Sequence, residues 1–183
     1  MRRAYALVGD LLRDVPERLE HSRAVGLLAR DAADRLLLDD ELLSAAGLLH
    51  DIGYGGRVID TGFHPLDGAR FLADAGWPDS VVRLVAHHSH AALIAPYEGL
   101  QDEYARIPLV PGFEADVLTW ADLTAGLFGQ GTTPLRRVSE MRVRHADRRH
   151  IPVEVRERRY LMLLEAAERV DRELAATSMR EVG

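Results

Sequence analysis

The chain has 183 residues, of which 47% are hydrophobic and 28% charged, which suits one globular unit spanning 1–183 with a substantial core. It contains no cysteine, so disulfides, thiolate metal sites and cysteine nucleophiles are excluded, and all 23 basic residues are arginine, which excludes Schiff-base lysines and lysine phosphate clamps. The net charge of −6 argues against wholesale nucleic-acid binding, and no stable nucleic-acid complex is expected.

The start Met1-Arg2-Arg3 leads into Asp10 and Arg13 rather than into a signal-type apolar segment. No apolar run approaches the roughly 18–20 residues of a membrane span, so the reading is a soluble, cytoplasmic protein without a membrane partner. Apolar residues recur at helical spacing almost throughout and period-two alternation is nearly absent, which predicts an all-α fold. Helices are expected from about Ala4 to Arg13, Glu17 to Leu37, Asp40 to His50, Pro65 to Ala75, Asp79 to Leu93, Glu114 to Leu127, Leu135 to Ala146 and Pro152 to Ala176. Gly53, Gly55, Gly56 and Gly62 mark a loop after His50-Asp51, and Gly76-Trp77-Pro78 separates the next pair. The stretch from Ala95 to Gly112, with Pro96, Gly99, Pro108 and Pro111, reads as irregular, and a loop of that length is more often a lid or binding loop than an idle connection. The arginine-rich stretch from Arg136 to Arg159 reads as a solvated helix face, with an anion-attracting rim as the alternative. The C-terminal amphipathic segment, with Tyr160, Leu161, Leu163, Leu164 and Val170, can pack within the chain or build a homodimer.

Several polar residues sit on apolar stripes of these helices. His21 shares a face with Val25 and Leu28, His50 follows Leu43 and Ala46, Asp122 follows Ala115 and Leu118, and His88 follows Val81, Leu84 and Val85. An unpaired imidazole or carboxylate in a core costs several kcal/mol, so each needs a partner. A lone histidine on such a stripe is more often a hydrogen-bonded core residue, and an inward aspartate more often meets an arginine or caps a helix. The density of such groups on successive elements, His21, His50, Asp51, His64, His87, His88 and Asp122, points instead to a shared metal.

Three of these elements carry a resemblance. His21, then Leu48-Leu49-His50-Asp51-Ile52-Gly53, then Ala121-Asp122-Leu123-Thr124 resemble the H…HD…D signature of the HD-domain superfamily of metal-dependent phosphohydrolases. His64 in Phe63-His64-Pro65-Leu66-Asp67-Gly68-Ala69-Arg70 and the pair His87-His88 are similar to the additional histidines of two-metal members. The resemblance covers about residues 17 to 128 and implies an HD-domain helical bundle, followed by extra C-terminal helices over 129–183. It implies that His21, His50, Asp51 and Asp122 hold a first metal and that Asp51 bridges to a second on His64 and one or both of His87 and His88. The stripe favours His88, because His87 shares its face with Arg83 and Ser80. Tyr54 stands where many relatives carry lysine, so any phosphate contact made by that lysine falls to an arginine, with Arg23 and Arg70 as candidates. No Gly-Tyr-Pro follows His87-His88, which argues against the branch that cleaves cyclic dinucleotides.

The cofactor expected is a divalent transition metal, as two ions, with Fe or Mn favoured and Co, Ni or Zn suited to the same donors. Such ions lower the pKa of a bound water and provide a nucleophile without serine or cysteine. The implied reaction is hydrolysis of a phosphate ester of a nucleotide or other small phosphorylated metabolite, with Asp51 at its centre. The alternative is an HD-type diiron oxygenase that cleaves a C–C or C–P bond with the same ligands. A nucleotide sensor with a structural metal is a third reading, disfavoured by the complete ligand set.

Overall fold

The computed structural model describes residues 1–109 and 112–182; Pro111, one of the breakers named above, lies outside the described residues. Among the described residues nine α-helices follow in chain order: α1 (Arg2–Leu11), α2 (Pro16–Arg35), α3 (Asp40–Leu49), α4 (His64–Asp74), α5 (Asp79–His87), α6 (Gln101–Ala105), α7 (Phe113–Thr124), α8 (Pro134–Arg144) and α9 (Val153–Val182). Among the described residues there is no strand, only an isolated bridge between Ala125 and Gly131, so the fold is all-α as the periodicity predicts. No described helix is long and apolar enough to cross a membrane.

Helix starts are set by local chemistry. Asp39 accepts a hydrogen bond from Leu42 N at 2.8 Å and Thr133 one from Arg136 N at 3.3 Å, while Pro16, Pro65 and Pro134 occupy first turns where a missing N–H leaves no hydrogen bond broken. Helix α3 is central. Every residue from Leu43 to Leu49 is buried, so past its first turn it has no solvent face. On one side α2, α7, α8 and α9 enclose Val25, Leu43, Leu118, Val138, Leu163 and Val170. On the other, α1, α4 and α5 bring Val8, Leu72 and Val85 against Leu48 and Leu49. A smaller cluster of Phe63, Leu66, Ile94, Leu100, Tyr104 and Ile151 lies beside these.

Three elements differ from the sequence expectation. Helix α5 stops at His87 instead of running to Leu93, and a 3-10 segment follows in which Ser89 and His90 are left-handed, with φ of 52° at each. The expected irregular loop is folded as a 3-10 turn over Ala95–Glu98 and then α6, secured by Tyr104, whose hydroxyl donates to Ala86 O at 2.8 Å. Helix α9 continues past Ala176 to Val182, and its Tyr160, Leu163 and Val170 are buried within the chain while Leu161 faces solvent.

The tightest helix crossing is α2 on α3. A Cβ at Gly47 would fall 2.9 Å from Gly26 Cα and 3.0 Å from Val25 O, both backbone atoms that cannot swing aside. Gly47→Ala is therefore expected to force α2 and α3 apart and destabilise the protein by about 1–3 kcal/mol. Gly9→Ala, on α1 with open space around the added methyl, should be neutral or stabilising by about 0.5–1 kcal/mol. Urea unfolding followed by circular dichroism separates the two; equal midpoints for both variants would contradict the close crossing.

Candidate metal centre

Five elements converge beside the α2/α3 crossing. His21 comes from the first turns of α2, His50 caps the C-terminus of α3 and Asp51 follows it, His64 opens α4, His88 follows α5, and Asp122 lies near the end of α7. His21, His50, Asp51 and His88 are buried. The Asp51 carboxylate divides its oxygens between two histidine pairs. Its Oδ2 lies 3.4 Å from His50 Nε2 and 4.0 Å from His21 Nε2, and its Oδ1 lies 3.4 Å from His64 Nε2 and 3.9 Å from His88 Nε2. Asp122 Oδ1 is 3.0 Å from His21 Nε2 and 3.9 Å from His50 Nε2. Two potential ligand groups result, His21/His50/Asp51 and Asp51/His64/His88, each with its donor atoms within 4.8 Å of one another.

The backbone fixes the tautomers. His21 Nδ1 donates to Gly126 O at 3.1 Å, His50 Nδ1 to Gly47 O at 2.8 Å and His88 Nδ1 to Val85 O at 2.6 Å. A carbonyl can only accept, so the neutral rings of His50 and His88 present a lone pair at Nε2, the form a metal ligand requires, whereas His21 Nε2 lies at hydrogen-bond distance from the Asp122 carboxylate. Burial, followed by His50, pushes His88 down to about 4, and burial also holds His64 well below its ordinary value despite Asp51. Burial alone would raise the Asp51 carboxyl, but His50, Arg18, His64 and His21 hold it well below the carboxylate range. Burial would raise Asp122 too, and the His21 hydrogen bond, then His50, outweigh it.

The donor set fits a cation. His50 Nε2 is buried without a hydrogen-bond partner, and His64 Nε2 and His88 Nε2 face each other at 3.2 Å, an arrangement in which two lone pairs repel unless a proton or cation lies between them. Imidazole nitrogens and carboxylate oxygens suit divalent transition metals. Glycine helps to bring the parts together: a Cβ at Gly53 would fall 2.0 Å from His64 O, so only glycine lets the turn after Asp51 lie against the start of α4. Asp67, buried in α4, accepts from the backbone N–H groups of Asp60, Thr61 and Gly62 at 2.9–3.1 Å and fixes the loop entering His64.

Other expected residues are not brought to the cluster. His87 is turned away, its Nε2 donating to Ile107 O at 2.8 Å, because it precedes His88 by one helical step of about 100°. Arg23 pairs with Glu20 at 2.7 Å and Arg70 with Asp60 at 3.0 Å, both at the surface. Two residues beyond His21, Arg23 is rotated by about 200° on the helix, whereas Arg18, at i−3, shares the inward face. Arg18 donates to Asp51 Oδ2 at 2.8 Å and lies 4.2 Å over the Tyr54 ring, which in turn stacks on His64. Arg137, Arg144, Arg148 and Arg159 also line the cleft over the cluster, so part of the arginine-rich stretch faces the cleft. A wider hollow of about 560 Å³ between α2 and α9 contains none of these ligands.

Residues 18–126 match the family model of the HD domain. The chain is similar to Ribonuclease Y of Chlorobium phaeovibrioides (38% identical over 85 residues, 46% of this chain and 16% of the relative). It is also similar to Ribonuclease Y of Rhodopirellula baltica (38% over 80 residues, 43% and 15%) and of Lactobacillus acidophilus (42% over 73 residues, 38% and 13%). The chain thus spans 16% or less of the length of these curated relatives. No solved structure matches it.

A cation that binds these buried anions and lone pairs binds the native state and not the unfolded chain. Chelation should lower the melting temperature, and added Mn should restore it in a concentration-dependent way, by about 2.7 kcal/mol at a hundredfold excess over Kd. Asp51→Asn should abolish the shift, as read by calorimetry. An undiminished shift in that variant would place the metal elsewhere.

Proposed function

The chain belongs to the HD-domain family, and from that footing we propose that it is a metal-dependent phosphohydrolase that cleaves a phosphate ester of a nucleotide or another small phosphorylated metabolite. The observation that carries the reading is the division of one buried carboxylate between two histidine pairs, His21/His50 and His64/His88. On this reading His21, His50, Asp51 and Asp122 hold one divalent ion and Asp51, His64 and His88 a second, with Fe or Mn favoured. When bound, such ions lower the pKa of water towards neutrality and offset negative charge on phosphoryl oxygens.

The remaining work falls to the protein's own groups. Arg18 spends one N–H on Asp51 and retains others for a phosphoryl oxygen, where a charge-assisted fork is strong and directional. Tyr54 holds the Arg18 guanidinium by its ring face and His64 by stacking, which is how a tyrosine serves at the position after Ile52-Gly53. Ser89 donates to Asp122 Oδ2 at 2.8 Å and orients that carboxylate so that Oδ1 faces the histidines.

The relatives are ribonucleases by name, so a phosphodiester in RNA is the second reading. The cleft itself, about 90 Å³, is well below the ~300–1,000 Å³ of pockets that enclose a whole ligand, and it favours insertion of a phosphate end.

Purified protein loaded with Mn or Fe, screened against nucleotides, sugar phosphates and a short RNA, should release phosphate from small esters. Asp51→Ala should lose both metal and hydrolysis. A His64→Ala, His88→Ala double variant should retain about one of two metal equivalents, with activity falling by more than the roughly 10–100-fold typical of losing an outer-shell partner. A single equivalent in fully loaded wild type would overturn the two-ion assignment, and substrate-dependent oxygen consumption without phosphate release would favour the oxygenase.

A further inference from the structure

Four arginines of the cleft come from beyond residue 126, where the family match ends. Arg137 and Arg144 lie on α8, Arg148 in the connection and Arg159 on α9, and they face the same space as Asp51, His64 and Asp122. Like charges gathered this closely repel one another unless an anion joins them. Nearby acids fill that role only in part, by long ion pairs to Arg137 and Arg148 and none to Arg144 or Arg159 among the described residues. Arg137 is buried, its Nε has no partner, and it approaches Glu140 only to 3.5 Å and Asp122 to 3.9 Å. Arg148 reaches Glu98 at 3.7 Å. Arg159 donates Nε to Ser89 O at 2.7 Å, which leaves its remaining N–H groups free of any carboxylate among the described residues. Arg144 has no ion pair or hydrogen bond among them, and burial, then Arg137 and Arg18, lower its basicity.

We propose that the C-terminal helices form a second phosphate subsite and that the substrate is a small molecule carrying at least two neighbouring phosphate groups, one at the metal centre and one on Arg144, Arg148 and Arg159. The placement of the first phosphate rests on the hydrolase reading; the second subsite rests on the arginines. A phosphate group carries about −1.5 to −2 charges at pH 7, so the first is met by the metal centre and Arg18, and the further guanidinium groups match a second. The organic body lies outside the narrow cleft, towards an adjoining hollow of about 260 Å³ that shares Phe63 and Arg148 with it and adds Glu98, Leu100 and His150. A polynucleotide fits less well, because the cleft is short and the chain's net charge of −6 works against a long polyanion.

Calorimetric binding of methylenediphosphonate, whose bridge resists hydrolysis, is compared with that of inorganic phosphate on the metal-loaded protein at fixed free Mn. The diphosphonate should bind at least about tenfold more tightly, a ratio that one charge-assisted hydrogen bond can supply. Arg144→Gln and Arg148→Gln should remove most of that advantage and change phosphate affinity by less than about twofold. Arg144 has no ion pair or hydrogen bond among the described residues to lose, so its variant should fold. Equal affinity for the two anions, or an equal loss of both in Arg144→Gln, overturns the subsite. So does a short single-stranded RNA that displaces the diphosphonate with higher affinity and depends on the same arginines. If the diphosphonate binds as expected but no phosphate ester is hydrolysed, the hydrolase reading fails and the subsite stands.

Discussion

A carboxylate taken out of water costs several kcal/mol unless cations or donors are brought to it, and Asp51 is buried where the five elements of the site converge. Its requirements explain why the surrounding chain breaks where it does. Helix α3 ends at Leu49; His50 keeps helical dihedrals as its C-cap and Asp51, with φ of −102° and ψ of 8°, departs from them, so that both point into the same space. Helix α4 begins at His64 and α5 ends at His87, so both other imidazoles on Asp51 Oδ1 also come from helix ends. Only His21 and Asp122 are delivered from within helices. Gly26 and Gly47 at the crossing, and Gly53 against His64, mark the positions where side chains had to be absent for these elements to meet.

The same constraint explains the left-handed turn after His88. Two consecutive non-glycine residues at φ of 52° cost about 1–2 kcal/mol each, and they persist because Ser89 is held at both ends: its hydroxyl donates to Asp122 and its carbonyl accepts from Arg159. Had α5 continued, His88 could not have taken its extended ψ of 153°. Strain at this turn is therefore coupled to the site, since the atom that stabilises Ser89 is the second oxygen of a candidate ligand.

Much of the centre was legible because a polar residue on an apolar stripe leaves a trace in the sequence. His21, His50, His88 and Asp122 are all visible in that way, and the helical class follows from the same periodicity. His64 opens a helix and has no stripe, so it entered only through the density of candidate ligands, and its place at a second metal only through the resemblance. The end of α5 was not legible, because Leu84, Val85 and His88 keep helical spacing up to the break and the contacts that cause it come from residues far along the chain. Helix α6 has five residues among prolines and glycines, too few for periodicity to register. Arg18 was missed for a geometric reason: closeness in numbering to a ligand is a poor guide on a helix, where i−3 shares a face and i+2 opposes it.

The C-terminal helices tie the arginines over the cleft to the core. They lie beyond the family match, yet Val138, Met141, Tyr160, Leu163 and Val170 belong to the same core cluster as Leu118 and Ala121 of α7. Trp120 on α7 donates to Asp171 on α9 at 2.7 Å, a further tie between the helix that carries Asp122 and the helix that carries Arg159. Arg137 and Arg144 sit on α8, which packs Val138 and Met141 into that same cluster. Guanidinium groups borne on packed helices are held more closely than groups on a surface loop, and their positions relative to Asp122 are set by core packing. A chain with the same ligand residues but a different C-terminal segment could keep the metal chemistry while presenting a different set of charges to the substrate.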